Sequence, residues 1–205
     1  MSDDSVVNIG LLILAAGASE RMGEPKQLLA LGATTMIGHA IDIGVACRCF
    51  PVVVVLGANA QTIKNTVSFE KVSTVENRNW SFGMGSSIKS GIQKMIALKS
   101  IDAVIITVCD QPNISARLLD SMIKLYQEER PKAIACAYND VIGVPALFDS
   151  ILFSELQMIT GDKGARRLLE KYRDQIRVIS CPEGALDIDT PKEYEDFISR
   201  SKDEN

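Results

Sequence analysis

The chemistry-bearing residues of this chain collect in four places. The first is the stretch Leu14-Ala15-Ala16-Gly17-Ala18-Ser19-Glu20-Arg21-Met22-Gly23-Glu24-Pro25-Lys26, directly after an apolar run. Small residues at Ala15, Ala16 and Gly17 let a ligand approach the backbone. Turn amides in such a loop can cradle phosphate oxygens, and Arg21 and Lys26 add positive charge beside them. The spacing is neither that of a Walker A loop nor that of a G-x-G-x-x-G dinucleotide fingerprint. A solvated connection with two surface cations is the competing reading. Asp110 follows a second apolar run, and Asp187 and Asp189 precede the last helical pattern. These acids suit a divalent metal, or, for the last two, the positive end of a helix dipole. The turn Gly83-Met84-Gly85-Ser86-Ser87 would admit a ligand closely and offer it a hydroxyl, or simply cap a helix.

His39 is the sole histidine, set among Ile37, Ala40 and Ile41 on a helical pattern, where a packed or surface role is expected. A Ser-His-Asp or Cys-His nucleophile, or a His-rich zinc site, would have to be built on it alone. Chemistry must therefore run on carboxylates, Lys, Arg, backbone amides or a bound metal.

Alternating elements must position these groups. Short apolar runs at Ile9–Ala15 and 51–56 read as buried strands and Ala103–Val108 as a third strongly apolar one, with further strands at 133–137, 144–148 and Ile176–Ser180 and a shorter one at 71–76. Helical spacing joins Ile37, Ala40, Ile41 and Val45 over 35–47, and Ile88, Ile92, Met95 and Ile96 after the 81–87 turn. It also joins Leu118, Leu119, Met122, Ile123 and Tyr126, and then Ala165, Leu168, Leu169 and Tyr172. Thr190, Pro191 and Glu193 form a capping-box start for a last helix carrying Tyr194, Phe197 and Ile198, and SRSKDEN reads as a solvated tail. The pattern predicts one α/β domain over 1–205, with an ordered core of about 8–199. It would be a three-layer, doubly wound, mostly parallel sheet with ligands at the carboxyl ends of its strands. Asp110 follows its strand at that end; Asp102 precedes the same strand and is expected to be solvated surface.

The chain has 205 residues, 46% of them hydrophobic and 23% charged, enough apolar surface for a real core. Its net charge of -4 argues against nucleic acid as a partner. No apolar run is long enough to span a bilayer, so no membrane partner is expected. Five cysteines, an odd count, read as free buried thiols, and with no signal-like start this places the protein in the cytoplasm. Cys47-Arg48-Cys49 lacks a second close pair that would complete a metal-thiolate site.

The string LAAGASERMGEPKQLL closely resembles the signature of the nucleotidyltransferases that act on molybdenum cofactor, and NWSFGMGSSI, CDQP, GDKGAR and DIDTPKEYEDF follow in the family's order. The resemblance runs from about Ile9 to Phe197, and Ala16 is similar to the molybdenum cofactor cytidylyltransferase branch of this MobA-like superfamily. It implies a nucleotide-diphospho-sugar-transferase-like (Rossmann-like) fold and Mg²⁺-dependent transfer of CMP from CTP to the phosphate of a molybdopterin-type cofactor, releasing pyrophosphate. By that resemblance Leu14, Ala15, Ala16, Gly17, Arg21 and Lys26 would surround the nucleotide, with Gly85 and Ser87 beside its base and ribose. Arg21, Lys26 and Asp110 would be catalytic, and Asp110 and Asp189 would hold the metal. Gln111, Asp162, Lys163 and Arg166 would face the acceptor, and a recipient molybdoenzyme or insertion chaperone is an implied partner. Ile142 stands where the family often has arginine, in Asp140-Val141-Ile142-Gly143-Val144-Pro145-Ala146-Leu147-Phe148. That departure leaves open a sugar or polyol phosphate as acceptor. A cofactor carrier without turnover also stays open.

Overall fold

The computed structural model describes residues 7–139 and 141–203; the opening MSDDSV, Asp140 and the last two residues of the tail, Glu204 and Asn205, lie outside them. The strands are β1 (Ile9–Ala15), β2 (Ala30–Leu31), β3 (Thr34–Thr35), β4 (Val52–Leu56), β5 (Ser73–Glu76), β6 (Ala103–Val108), β7 (Ala133–Tyr138), β8 (Val141–Asp149) and β9 (Ile176–Ser180). The helices are α1 (Met36–Ala46), α2 (Ala60–Thr66), α3 (Met84–Leu98), α4 (Ala116–Glu129), α5 (Phe153–Met158), α6 (Arg166–Lys171) and α7 (Pro191–Asp203). Seven strands form one sheet in the order β5-β4-β1-β6-β8-β7-β9, and β2 and β3 make a small separate hairpin.

The sheet is covered on both faces, which explains the uninterrupted apolar runs. Leu11, Ile13, Val54 and Ile105 point to a layer formed with α1, α2 and α4 through Ile37, Ile41, Ile63, Leu119 and Met122. Leu12, Leu14, Val53 and Val104 point the other way, to α3, α5 and α6 through Ile88, Ile92, Met95, Leu156 and Leu168. A third, smaller cluster of Met22, Leu29, Met36 and Ile188 packs Tyr194 and Phe197 of α7 against the first loop and the base of α1.

The chain leaves β1 for β4 and β5 on one side, then returns to place β6 on the other. The carboxyl ends of β1 and β6, paired in parallel through Leu14↔Val108, therefore form a topological switch point. Lys26 and Asp110 descend from these two ends.

Several elements differ from the sequence expectation. β8 runs antiparallel to both β6 and β7. Its two-residue connection from β7, with Asn139 at φ 47, is far too short for a parallel crossover. Helices α2 and α5, of 7 and 6 residues, are too short to show a periodic stripe. The terminal tail instead extends α7 to Asp203. Asp102 is not simply solvated: its carboxylate accepts the Asn8 N–H at 2.8 Å and its carbonyl accepts the Tyr126 hydroxyl at 3.2 Å. All five cysteines are free and buried. Among the described residues no helix is long and apolar enough to cross a membrane.

Helix α3 lies close on β1 because Gly91 has no side chain: a Cβ there would stand 2.3 Å from Leu12 Cδ1, and Leu12 is fully buried. Gly91→Val should therefore cost about 1–3 kcal/mol by overpacking. A lower urea midpoint with an unchanged slope would show it.

Candidate active site

A cavity of about 700 Å³ opens at the switch point, a volume suited to a nucleotide-sized ligand. Its floor is the end of β1 and the loop after it, including Leu14, Ala15, Ala16 and Gly17. That loop is shaped by a residue the sequence reading passed over. Gln27 is almost fully buried, and its amide donates to the carbonyls of Ala15 and Gly17 at 3.2 and 2.9 Å. Its Oε1 accepts the Ser19 hydroxyl at 3.3 Å, and Ser19 Oγ accepts the Lys26 N–H at 3.1 Å. Ser19 itself has φ 60, and its carbonyl accepts the N–H groups of Met22 and Gly23. The only local signal for this arrangement was a glutamine in the apolar stretch after Lys26.

Four ionic side chains meet at the edge of the cavity. Lys26 Nζ donates to Asp110 Oδ2 and, at 2.6 Å, to Asp189 Oδ1, while Arg21 Nη2 contacts Asp189 Oδ2 at 2.5 Å. Burial alone would depress the Lys26 ammonium, but Asp110 first and then Asp189 outweigh it and raise the pKa above its ordinary value. Burial likewise works against the Asp189 carboxylate, and Lys26, then Arg21, hold it below the usual range. Asp187 lies near Asp110 and Gln111 and does not line the cavity; burial first, then the Asp110 charge, push its carboxyl up.

Each partner is fixed by its own segment. The turn carrying Asp110 is tied to β1 by Cys109 N–H donating to Leu14 O at 3.2 Å, and to the α7 approach by Ile188 N–H donating to Asp110 O at 3.0 Å. His39 braces that turn from α1, its Nε2 lying 2.9 Å from Pro112 O. Asp189 is held by the capping box: Glu193 Oε2 accepts the N–H groups of Asp189 and Thr190 at 3.0 and 2.9 Å.

The opposite wall is Trp80, Ser81, Gly83, Met84 and Ser87, with Asp162 alongside. Gly83 has φ 90, and a Cβ on it would lie 2.4 Å from Asp162 Oδ1 and 2.7 Å from the Gly161 carbonyl carbon. Gly85 does not line the cavity; a Cβ there would meet Ile159 O at 2.6 Å, so this glycine seats α3 against the 159–162 segment. Ser87 does line it.

The four residues expected at the acceptor side are placed unequally. Asp162 lines the cavity, whereas Gln111, Lys163 and Arg166 do not. Gln111 is buried behind the wall, donating to Gly184 O at 3.1 Å and to the Tyr138 hydroxyl at 3.4 Å. Arg166 is exposed and pairs with Glu170 at 3.1 Å. Ile142 packs against the α3-side core. Trp80 and Gln27 line the cavity without having been singled out from the sequence, although each lay inside a quoted motif.

The model of the MobA-like NTP transferase domain matches residues 11–176. The chain belongs to this family. Among curated relatives of this MobA-like chain, nicotine blue oxidoreductase of Paenarthrobacter nicotinovorans is 30% identical, covering 93% of the chain and 96% of that protein. The purine catabolism protein PucB of Bacillus subtilis is 28% identical, covering 93% and 95%. Among solved structures, Rv0371c from Mycobacterium tuberculosis matches with TM-score 0.81 at 25% identity, over 94% of this chain and 98% of that one. The matched span contains the first loop, Lys26 and Asp110; Asp189 lies beyond it, brought in by α7.

The Asp189 carboxylate, held down by its cations, contributes stability that is complete above the unfolded-state pKa of about 4 and fades as pH falls through its lower folded-state value. Asp189→Asn should melt below the parent at pH 7, and the gap should narrow below about pH 4. Thermal melts at pH 7 and about pH 3 test this directly.

Proposed function

We propose that this MobA-like protein is a divalent-metal-dependent nucleotidyltransferase that transfers CMP from CTP to the terminal phosphate of a molybdopterin-type cofactor, releasing pyrophosphate. The observation that carries the reading is the Lys26 ammonium, gripped by Asp110 and Asp189 where β1 and β6 end, with Arg21 beside it. A triphosphate laid on the first loop would meet two cations and two carboxylates at that edge.

The donor set fits Mg²⁺. Asp110 lines the cavity, and its Oδ1 is buried with no hydrogen-bond partner, an acceptor left over on an otherwise paired carboxylate. Among the described residues no three His, Cys, Asp or Glu side chains converge as a metal cage. Mg²⁺ characteristically takes one or two carboxylates and completes its shell with phosphates and water. Asp110 and Asp189 would hold it, and when bound it would neutralise phosphate charge.

Lys26 and Arg21 then orient the phosphates and stabilise charge on the α-phosphate and the departing pyrophosphate. An anionic oxygen of the acceptor phosphate forms the new bond to the α-phosphorus as the bond to pyrophosphate breaks. That oxygen is already deprotonated near pH 7, so no general base is required, in keeping with a site that has no histidine. Small residues from Ala15 to Gly17 let phosphate oxygens reach the backbone amides that Gln27 holds in place.

A sugar or polyol phosphate acceptor is the second reading, favoured by Ile142, which packs into the core where the family often carries arginine. The oxidoreductase name of the Paenarthrobacter relative suggests redox chemistry, but the first loop lacks a dinucleotide fingerprint. On this reading the protein would act in the cytoplasm, with a recipient molybdoenzyme or insertion chaperone as the partner that takes the product.

Pyrophosphate release should be fastest with CTP, Mg²⁺ and a molybdopterin acceptor, and absent without an acceptor. Turnover on a sugar phosphate instead would select the second reading. Lys26→Ala and Asp110→Ala should each slow transfer by roughly 10²–10³. Parent-like turnover in both would refute the assignment.

A further inference from the structure

The wall opposite Lys26 contains a buried polar residue that the proposed reaction has not used. Asn77 follows β5, is 2% exposed, and has both amide protons and one side of its amide oxygen committed to hydrogen bonds. Its Oδ1 accepts the Asn79 N–H at 3.0 Å, which fixes which end of the amide is oxygen. Its Nδ2 therefore donates, to Ser86 Oγ at 2.8 Å and to Ser87 Oγ at 3.0 Å.

The two serines differ in what remains to them. Ser86 spends its own proton on the backbone, within 2.8 Å of both Gly83 O and Asn79 O, and so ties the first turn of α3 to the segment before it. For Ser87, the hydrogen bond among the described residues is the one it accepts from Asn77, although the residue is only 4% exposed and lines the cavity. A hydroxyl has one proton, and Asn77 Nδ2–H occupies one of its lone-pair directions. The proton is left for the cavity.

We propose that Asn77 is a positioning residue that sets the polarity of Ser87, making it a hydrogen-bond donor aimed at a carbonyl oxygen of the nucleobase. Cytosine, uracil and guanine carry such an oxygen; adenine does not. The wall thus selects against adenine by leaving a nearly buried hydroxyl without an acceptor, which costs more than a lost contact in water. This rests on the nucleotide-binding reading above and deepens it, assigning the base-side discrimination to a residue that itself does not line the cavity.

The test uses the full chain with Mg²⁺. Trp80, the single tryptophan, lines the cavity and reports nucleotide binding by its fluorescence. Inorganic tripolyphosphate, followed by calorimetry, reports the phosphate half of the site alone. The parent should bind CTP about tenfold more tightly than ATP, the scale of one unsatisfied hydrogen bond. Asn77→Asp keeps the acceptor for Asn79 N–H but turns the amide donor into a carboxylate, drawing the Ser87 proton away from the cavity. Both Asn77→Asp and Ser87→Ala should bring CTP and ATP to within about twofold, with tripolyphosphate affinity unchanged. Partial unfolding lowers both nucleotide affinities together, so the CTP-to-ATP ratio separates positioning from a merely structural loss. Equal CTP and ATP binding in the parent, or a parent-like ratio in Asn77→Asp, would overturn the inference while leaving nucleotidyl transfer standing. Failure of the parent to bind tripolyphosphate would instead remove the nucleotide reading and this inference with it.

Discussion

The rest of the site depends on one ammonium shared between two carboxylates. Lys26, Asp110 and Asp189 come from the first loop, from the end of β6 and from the approach to α7. Their side chains are 14%, 18% and 28% exposed, so removing any one leaves a partly desolvated charge without its counterpart. The carboxylates outweigh the burial penalty on the lysine, and the two cations outweigh that on Asp189. This mutual dependence makes the charges a single unit, and it sets the edge of the cavity on which anionic phosphates would be received.

Packing and hydrogen bonds hold that unit in place. Gln27 ties two carbonyls of the first loop, Glu193 ties the backbone around Asp189, and His39 braces the turn after Asp110. The small cluster of Met22, Leu29, Met36 and Ile188 fastens the last segment of the chain across the first loop. Groups held by packing and hydrogen bonds in this way need little reorganisation when charge develops on a ligand, which is the condition for electrostatic catalysis. The relatives carry names from different chemistries on one domain, in line with the rule that a fold hosts functions and a site decides among them.

Much of the architecture was legible from patterns that act locally. Continuous apolar runs at Ile9–Ala15 and Ala103–Val108 match strands over the same residues, because burial on both sheet faces demands apolar side chains throughout, whereas the strand read at Ile176–Ser180 lies at the sheet edge and is largely exposed. The Thr190 to Glu193 capping box is present as read, since its bonds span only one turn. The direction of β8, the short helices α2 and α5, and the β2–β3 hairpin left little trace. Too few residues are involved to establish a period, and strand direction is a property of connections.

The sequence by itself determined where the longer strands and helices lie, that the layers stack on a largely parallel sheet, and that small residues and cations follow β1. Tertiary structure alone decided that Lys26 meets Asp189 across most of the chain, that Gln27 and Asn77 turn inward to hold the two walls, and that Gln111, Lys163 and Arg166 stay out of the cavity. The division has a physical cause. Periodicity and capping are set by neighbours within a turn or a strand. The partner of a charge or a buried amide is set by which distant backbone the packed sheet brings within about 3 Å of it.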